Sequence, residues 1–86
     1  MYYVYVLQSR KTGRLYMGSS ETPDKRLISH NAGRVRSTRP YRPWVRVLLE
    51  TYPDEAAAVR RERYLKSGWG RRGLAAKLCP RDGLAT

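Results

Sequence analysis

Hydrophobic side chains are concentrated at the start of the chain, in the run Tyr2 to Ser9 (YYVYVLQS). The run is rich in aromatic and β-branched residues, which favour strands. Both of its alternating faces are apolar, with Val4 and Val6 on one face and Tyr5 and Leu7 on the other. Because such a strand must be covered on both sides, the pattern predicts the central strand of a sheet.

A hairpin and a helix are predicted after this strand. The segment Arg10 to Arg14 contains a glycine and predicts a turn, after which Leu15 to Ser19 returns as a second strand. Thr22 stands directly before a proline, as a helix N-cap often does, and Gly33 is suited to end the helix. The first helix is therefore predicted over Pro23 to Ala32.

The middle of the chain predicts a loop, a strand and a second helix. The segment Arg34 to Pro43 has no period and contains two prolines, which predicts a loop. Apolar and polar residues alternate well enough in the segment Trp44 to Tyr52 to predict a third strand. Asp54 is then placed to cap a strongly helical run that begins at Glu55 and that Gly68 ends.

A short last helix is predicted over Arg71 to Leu78, with Pro80 as its stop. The element order ββαβαα describes one α+β domain over residues 1–80, and residues 81–86 are predicted to form a frayed tail. With 86 residues the chain is too short for two independent domains, so one small core is expected.

The charge balance indicates the class of partner. Lysine and arginine total 18 against 7 acidic residues, and the formal net charge of +11 attracts polyanions, so nucleic acid is the first partner to consider. Cys79 is the single cysteine, which excludes an intrachain disulfide and predicts a cytoplasmic protein. The apolar runs fall far short of the ~18 residues that span a bilayer, so neither a membrane span nor a signal peptide is predicted.

One acidic residue has an unusual predicted position in the second helix. Ala58, Leu65 and Trp69 fall within a narrow apolar stripe at 100° per residue, and Glu62 lies inside that stripe. An acid that faces a core needs a cation or a metal as partner. The alternative is a surface ion pair between Glu62 and Lys66, which are four residues apart. The spacing alone leaves both interpretations open.

Other candidate residues are ambiguous when taken singly. Arg26 and His30 are four residues apart on the first helix and project from one face, so they could reach one ligand together. Tyr5 and Tyr16 lie on the two strands of the hairpin, where tyrosine is also common in purely structural positions. The sequence contains no P-loop and no nucleophile elbow, so it gives no support to nucleotide hydrolysis or acyl transfer.

The loop before the third strand interleaves cations with aromatic residues, a combination typical of nucleic-acid contacts. The alternative is an ordinary solvated basic loop. The candidate nucleic-acid-binding residues are Arg34, Arg36, Arg39, Arg42 and Trp44.

Taken together, these residues resemble the GIY-YIG endonuclease superfamily. The segment YVY at Tyr3–Tyr5 corresponds to its first motif, and YMG at Tyr16–Gly18 corresponds to its second. Arg26 follows the second motif by eight residues, where the family carries its arginine, and His30 follows four residues later. Glu62 occupies the position of the family's metal-binding glutamate. The resemblance is closest to small stand-alone bacterial members described as UvrC-like.

The resemblance implies a fold and a mechanism. The fold is a three-stranded antiparallel sheet with the first strand central and helices flanking it. The site is a phosphodiesterase site in which Glu62 holds one Mg²⁺ or Mn²⁺. Tyr5 would take the proton of the attacking water, with its pKa lowered by the nearby metal, arginine or histidine charge, and His30 would tune or receive that proton. Arg26 would neutralise charge on the scissile phosphate, and Tyr16 would orient the phosphate or the water.

Three departures from the family pattern bear on efficient cleavage. Tyr3 stands where glycine is usual, Ser19 follows the second motif where the repair nuclease has lysine, and Leu74 stands where that nuclease has asparagine. The expected function is metal-dependent hydrolysis of DNA with weak or structure-guided specificity, in repair or recombination, with RNA left open as a partner. The alternative is a non-catalytic nucleic-acid-binding module that has kept the fold.

Overall fold

Three antiparallel strands form one sheet in the order β2-β1-β3. Strand β1 covers Tyr2–Ser9, β2 covers Leu15–Ser20 and β3 covers Trp44–Tyr52. The computed structural model describes the backbone of residues 1–78 and the side chains of residues 1–74. The predicted α+β fold class and the central position of the first strand are confirmed.

The two apolar faces of β1 belong to two separate cores. Val4 and Val6 pack against Ala58, Leu65 and Leu74, which lie on helices behind the sheet. The residues on the other face of β1 form a second core on the opposite side of the sheet. The members of that second core are Tyr5, Leu7 and Trp44, with Tyr16, Leu27 and Tyr41 packed against them.

Helix α1 covers Pro23–Asn31, and helix α2 covers Glu55–Lys66. The predicted cap of α2 is confirmed, because the Asp54 side chain accepts a hydrogen bond from the backbone N–H of Ala57 at 2.9 Å. Thr22 occupies the N-cap position of α1 without a capping bond from its side chain. Its backbone N–H instead donates to the Ser20 hydroxyl at 2.9 Å.

Helix α3 covers Gly68–Leu78, so it begins three residues before the predicted start at Arg71. The hydroxyl of Ser67 accepts the backbone N–H of Gly70 at 3.2 Å and so provides a cap for this earlier start. Because the chain changes direction at Ser67, Trp69 does not continue the apolar stripe of α2. Its 73% exposure shows that the prediction of a core position for Trp69 was wrong.

The predicted loop from Arg34 to Pro43 contains one turn of 3-10 helix at Arg39–Tyr41 and is otherwise irregular. No helix within residues 1–78 is both long and apolar enough to cross a bilayer. The predicted stop at Pro80 and the predicted tail over residues 81–86 lie outside the described residues.

Candidate active site

Tyr5 and Gly18 face each other across the β1–β2 pair, and the phenol of Tyr5 lies directly over the glycine. A Cβ atom on Gly18 would come within 2.5 Å of the phenol oxygen and 2.7 Å of the ring carbon Cζ. The tyrosine side chain is 1% exposed, so it has little room to move away. The glycine of the YMG segment is therefore needed for this close approach of ring to backbone.

The surroundings of Tyr5 act on the pKa of its phenol in opposite directions. Burial is the largest effect and raises this pKa, and the hydrogen bond with Arg26 lowers it by less. Smaller electrostatic effects come from Tyr16 and Glu62, and both raise the pKa. The protein's own groups therefore keep Tyr5 protonated at neutral pH. This direction comes from the protein's own groups. The role of Tyr5 as a base, which requires a pKa lowered by a metal, arginine or histidine charge, stays a prediction.

Arg26 links the two tyrosines of the hairpin. Its pKa is raised, first by the hydrogen bond and charge interaction with Tyr5 and to a smaller extent by Tyr16. The residue is exposed, so its guanidinium is open to a phosphate from solvent. Helix α1 carries Arg26 in its first turn, which brings the side chain to the face of the sheet that Tyr5 and Tyr16 share.

His30 is fully buried at the end of the same helix, with its ring centroid 4.7 Å from that of Tyr16. The His30 Nδ1 atom lies 2.8 Å from the Thr38 hydroxyl, which donates its single hydrogen to the Val35 carbonyl at 3.3 Å. With the hydroxyl donating to Val35, it accepts from His30, and in that arrangement Nδ1 carries the proton and Nε2 carries a lone pair. Among the described residues, this buried Nε2 has no hydrogen-bond partner.

The charge state of His30 follows from the same surroundings. Burial lowers its pKa, and the nearby Arg26 charge lowers it further, so the imidazole is neutral near pH 7. Thr38, which selects the tautomer, was missed by sequence reasoning. It lies eight residues beyond His30 in an irregular loop, and no periodic pattern connects the two.

Trp44 is a structural residue in this fold, which corrects its prediction as a nucleic-acid contact. The ring is 3% exposed, and its N–H donates to the Thr38 carbonyl at 3.0 Å. The Asn31 side chain holds the Trp44 backbone through two hydrogen bonds. Its Oδ1 accepts from the Trp44 N–H at 2.6 Å, and its Nδ2 donates to the Trp44 carbonyl at 2.9 Å. A ring buried in this way cannot stack on a base.

Glu62 approaches from the other layer, on α2. Ser19 donates from its hydroxyl to the Glu62 Oε1 atom at 2.7 Å, and the Lys66 ammonium lies 2.8 Å from Oε2. The Glu62 side chain is 19% exposed, so it is largely enclosed, and its carboxylate is also ion-paired. Burial raises its pKa, but the Lys66 and Ser19 contacts outweigh burial and leave the pKa below its usual value.

The two groups of candidate residues meet at the edge strand β2. Tyr5, Tyr16, Arg26 and His30 lie together on the α1 side of the sheet. Successive strand residues point to opposite faces, so Ser19 projects towards α2 although its neighbour Gly18 faces Tyr5. The negative charge of Glu62 also raises the pKa of Tyr5, as the smallest of the effects on that phenol.

The donor groups around Glu62 are suited to one type of metal site. No cluster of three or more His, Cys, Asp or Glu residues that could hold a metal is found among the described residues. Mg²⁺ is commonly held by one or two carboxylates, several waters and substrate phosphate oxygens. Glu62 therefore fits a cation of this type, provided that the Lys66 ammonium releases the carboxylate.

The loop after α1, which contains Thr38, carries several arginines. Arg39 donates from Nε to the Gly33 carbonyl at 2.8 Å, and Arg42 donates from Nε to the Arg39 carbonyl at 2.9 Å. These bonds fix the loop and leave the other guanidinium nitrogens for ligands. Exposed arginines in this loop are Arg34, Arg36, Arg39 and Arg42.

Comparisons with known proteins show the family of this chain. The GIY-YIG catalytic domain family matches residues 1–74. A UPF0213 protein of Staphylococcus haemolyticus is 34% identical over 67 residues, which cover 77% of this chain and 80% of that protein. Structure-specific endonuclease subunit SLX1 of Rattus norvegicus is 37% identical over 67 residues, which cover 72% of this chain and 25% of that protein. No solved structure matches at a significant level.

The sheet order and the flanking helices define an α+β domain, in which Tyr5 lies over Gly18 and Arg26 on α1 reaches both Tyr5 and Tyr16. The chain belongs to the GIY-YIG catalytic domain family. The family and the SLX1 relatives support a nuclease function, although the chain matches only about a quarter of the length of the rat protein.

Proposed function

We propose that this chain hydrolyses phosphodiester bonds of DNA as an endonuclease of weak or structure-guided specificity, acting in repair or recombination. The observation that carries the proposal is the exposed Arg26 guanidinium, which lies between two phenols on a strongly basic protein. A cation with hydroxyl donors beside it is suited to a phosphate whose charge increases in the transition state. The name of the SLX1 relatives, a structure-specific endonuclease subunit, is consistent with this proposal.

Each residue of the tyrosine cluster has a distinct proposed role. Arg26 binds the scissile phosphate and stabilises its developing negative charge. Tyr5 stays protonated and donates a hydrogen bond, because its pKa is raised by burial. Tyr16 orients the phosphate or the attacking water, and His30 holds the ring of Tyr16 in place. We treat His30 as a positioning residue because its ring is fully buried.

We propose Glu62 as the ligand of one divalent cation, Mg²⁺ or Mn²⁺. When bound, such a cation lowers the pKa of a water and stabilises the leaving oxygen. The protein's part is to hold the carboxylate ionised and oriented. Ser19 does so through its hydrogen bond to Glu62, and Lys66 holds the second carboxylate oxygen until it is released.

The ion pair at Glu62 also favours the second candidate function. Ser19 and Lys66 already contact both carboxylate oxygens. These two contacts would also be present if Glu62 only stabilised the fold. A protein with this arrangement could bind nucleic acid through its basic surface and cleave nothing. The two functions differ in whether any metal supports DNA cleavage.

Purified protein should be incubated with linear, supercoiled, branched and single-stranded DNA, with and without Mg²⁺ or Mn²⁺. We expect metal-dependent cleavage that falls at least ~10²- to 10³-fold in Glu62→Gln, the range for loss of one transition-state electrostatic contact. DNA binding should persist or tighten in this variant, because a negative charge near the phosphate is removed. Glu55→Gln is the matched control, since Glu55 is an exposed acid in the first turn of the same helix.

Full metal-dependent cleavage by Glu62→Gln, after removal of contaminating nucleases, would contradict the metal role of Glu62. Absence of cleavage by the unmodified protein on every substrate, together with tight DNA binding, would support the binding module. Equal losses in Glu62→Gln and Glu55→Gln would indicate a general effect on α2 and not a role in the site.

A further inference from the structure

Trp69 is an exposed tryptophan that the proposed site does not use. It lies in the first turn of α3 and is 73% exposed. Its neighbour Gly70 makes the contact with α2, because a Cβ atom on Gly70 would overlap the backbone of Tyr64 and Leu65. The tryptophan ring therefore contributes little to the core, although burying a large apolar side chain is usually favourable by ~1.5–3 kcal/mol.

The ring of Trp69 is oriented by a cation instead of an apolar partner. The guanidinium carbon of Arg72 lies 5.1 Å from the ring centroid, within the range of a cation–π contact. Tyr64, near the end of α2, is 50% exposed. The guanidinium carbon of Arg61 lies 5.4 Å from the centroid of its ring. Two exposed aromatic rings, each with a guanidinium over it, thus flank the junction between α2 and α3.

The charge of residues 60–72 indicates which kind of molecule binds this surface. Between residues 60 and 72 there are six cationic residues and one acid, and that acid is Glu62, which Lys66 neutralises. The exposed cations of the segment include Arg60, Arg63, Arg71 and Arg72. A second copy of a chain with a net charge of +11 would be repelled from this surface. A polyanion would be attracted, and a nucleic acid also supplies rings that stack on an aromatic side chain.

We propose that Trp69 and Arg72 form a stacking site for an unpaired base of a DNA strand. The proposal rests on the proposed function and refines it, because it names single-stranded DNA, alone or next to a duplex, as the form that is bound. A base offers its face to Trp69 only when it is not stacked between neighbouring base pairs. Arg72 would contact the adjacent phosphate while its guanidinium remains near the ring.

The position of the stacking site relates it to the candidate active site. Trp69 follows Glu62 by seven residues, and the close packing of Gly70 on the end of α2 holds the start of α3 against the helix that carries the carboxylate. An unpaired base held at Trp69 would therefore lie at a fixed position relative to Glu62, the proposed metal ligand. This arrangement would select substrates by the position of their single-stranded part.

The test measures the binding of a twelve-nucleotide oligo(dT) and of a duplex of equal length. A chelator is present to remove divalent metal, so the result does not depend on DNA cleavage. Trp69 itself is the probe, because the other tryptophan, Trp44, is 3% exposed and shielded from the ligand. We expect oligo(dT) to quench the Trp69 emission. We expect Trp69→Ala to weaken oligo(dT) binding about 5- to 150-fold, the range for loss of one base–aromatic stack, and duplex binding to change little.

The controls separate stacking from charge and from folding. Leu49→Ala removes a 43% exposed apolar side chain on β3, the edge strand opposite β2, and should leave both affinities unchanged. Trp69→Phe keeps a ring and should retain most of the oligo(dT) affinity. Because Trp69 is exposed, both of its variants should unfold at the temperature of the unmodified protein.

Several outcomes would overturn the proposal. Unchanged oligo(dT) binding in Trp69→Ala would do so, and so would equal losses for oligo(dT) and duplex. Tighter binding of oligo(rU) than of oligo(dT) would assign the surface to RNA, and a dimer that dissociates in Trp69→Ala would assign it to a second copy. Trp69-dependent oligo(dT) binding without any cleavage of DNA would support the stacking site and contradict the proposed nuclease activity.

Discussion

The substitution Gly18→Ala tests how the phenol of Tyr5 is held. The added methyl group would lie 2.5 Å from the phenol oxygen, against an ordinary van der Waals distance of 3.4 Å or more. The overlap is about 0.9 Å, and the 1% exposed tyrosine cannot move into solvent without opening its core. Overpacking of this kind costs ~1–3 kcal/mol of the free energy of unfolding. For a domain of this size, the melting temperature should fall by roughly 4–24 °C.

The same overlap should disturb function beyond its effect on stability. Relief of the clash moves the phenol oxygen away from Gly18 and therefore changes its position relative to Arg26. A displacement of about 1 Å in a positioned group can lower a reaction rate by about 10²-fold. We therefore expect Gly18→Ala to lose about 10²-fold in DNA cleavage at a temperature where the variant is still folded.

The assays are thermal and urea unfolding followed by circular dichroism, together with DNA cleavage under the conditions of the unmodified protein. Gly73→Ala is the matched control, because a Cβ atom at Gly73 meets nothing within 4 Å. It should stabilise α3 by ~0.5–1 kcal/mol, since alanine favours a helix interior over glycine. The double variant with Tyr5→Phe lacks the nearest clashing atom, so it should recover part of the stability without recovering cleavage.

A Gly18→Ala protein as stable and as active as the unmodified chain would refute this explanation of the Tyr5 pocket. Strict additivity of Gly18→Ala and Tyr5→Phe would contradict it as well. Residues that touch each other normally show a coupling of ~0.5 kcal/mol or more in a double-mutant cycle.

Two further predictions concern charge. If the loop arginines bind phosphates, the salt dependence of DNA affinity should weaken in Arg36→Ala and Arg39→Ala, by about 0.9 in the log–log slope for each phosphate that is no longer neutralised. The second concerns His30, whose pKa is lowered by burial and by Arg26. As pH falls below ~6.5, the unfolded chain gains a proton that the folded chain resists, so the free energy of unfolding should fall by at most ~1.4 kcal/mol per pH unit.

Salt titrations of binding and urea unfolding between pH 7.5 and 5.5 check these expectations. Unchanged salt slopes in both arginine variants would remove the loop from the binding surface. His30 is the only histidine, so His30→Asn should abolish the pH dependence in this range. The asparagine amide can still donate to Thr38 in place of Nδ1. A pH dependence that survives in His30→Asn would mean that another group titrates.

The strands show how far the sequence alone determines this fold. The bounds of β1 and β3 agree with the predictions from alternation and composition, and the two apolar faces of β1 correctly placed it at the centre of the sheet. Alternation is a local property, because each strand residue points to the face opposite its neighbours. Family membership was likewise predicted from local spacing, since the tyrosines, Arg26 and Glu62 stand at fixed intervals along the chain.

The tertiary structure decided which groups meet and in what state. The start of α3 depends on the hydroxyl of Ser67, and the burial of Trp44 depends on hydrogen bonds that its own N–H groups donate to Asn31 and Thr38. Nothing periodic in the sequence shows that Thr38 would select the tautomer of His30 or that Ser19 would bind Glu62. These interactions join residues from different elements, and their hydrogen bonds and pKa shifts arise only when packing removes the groups from water.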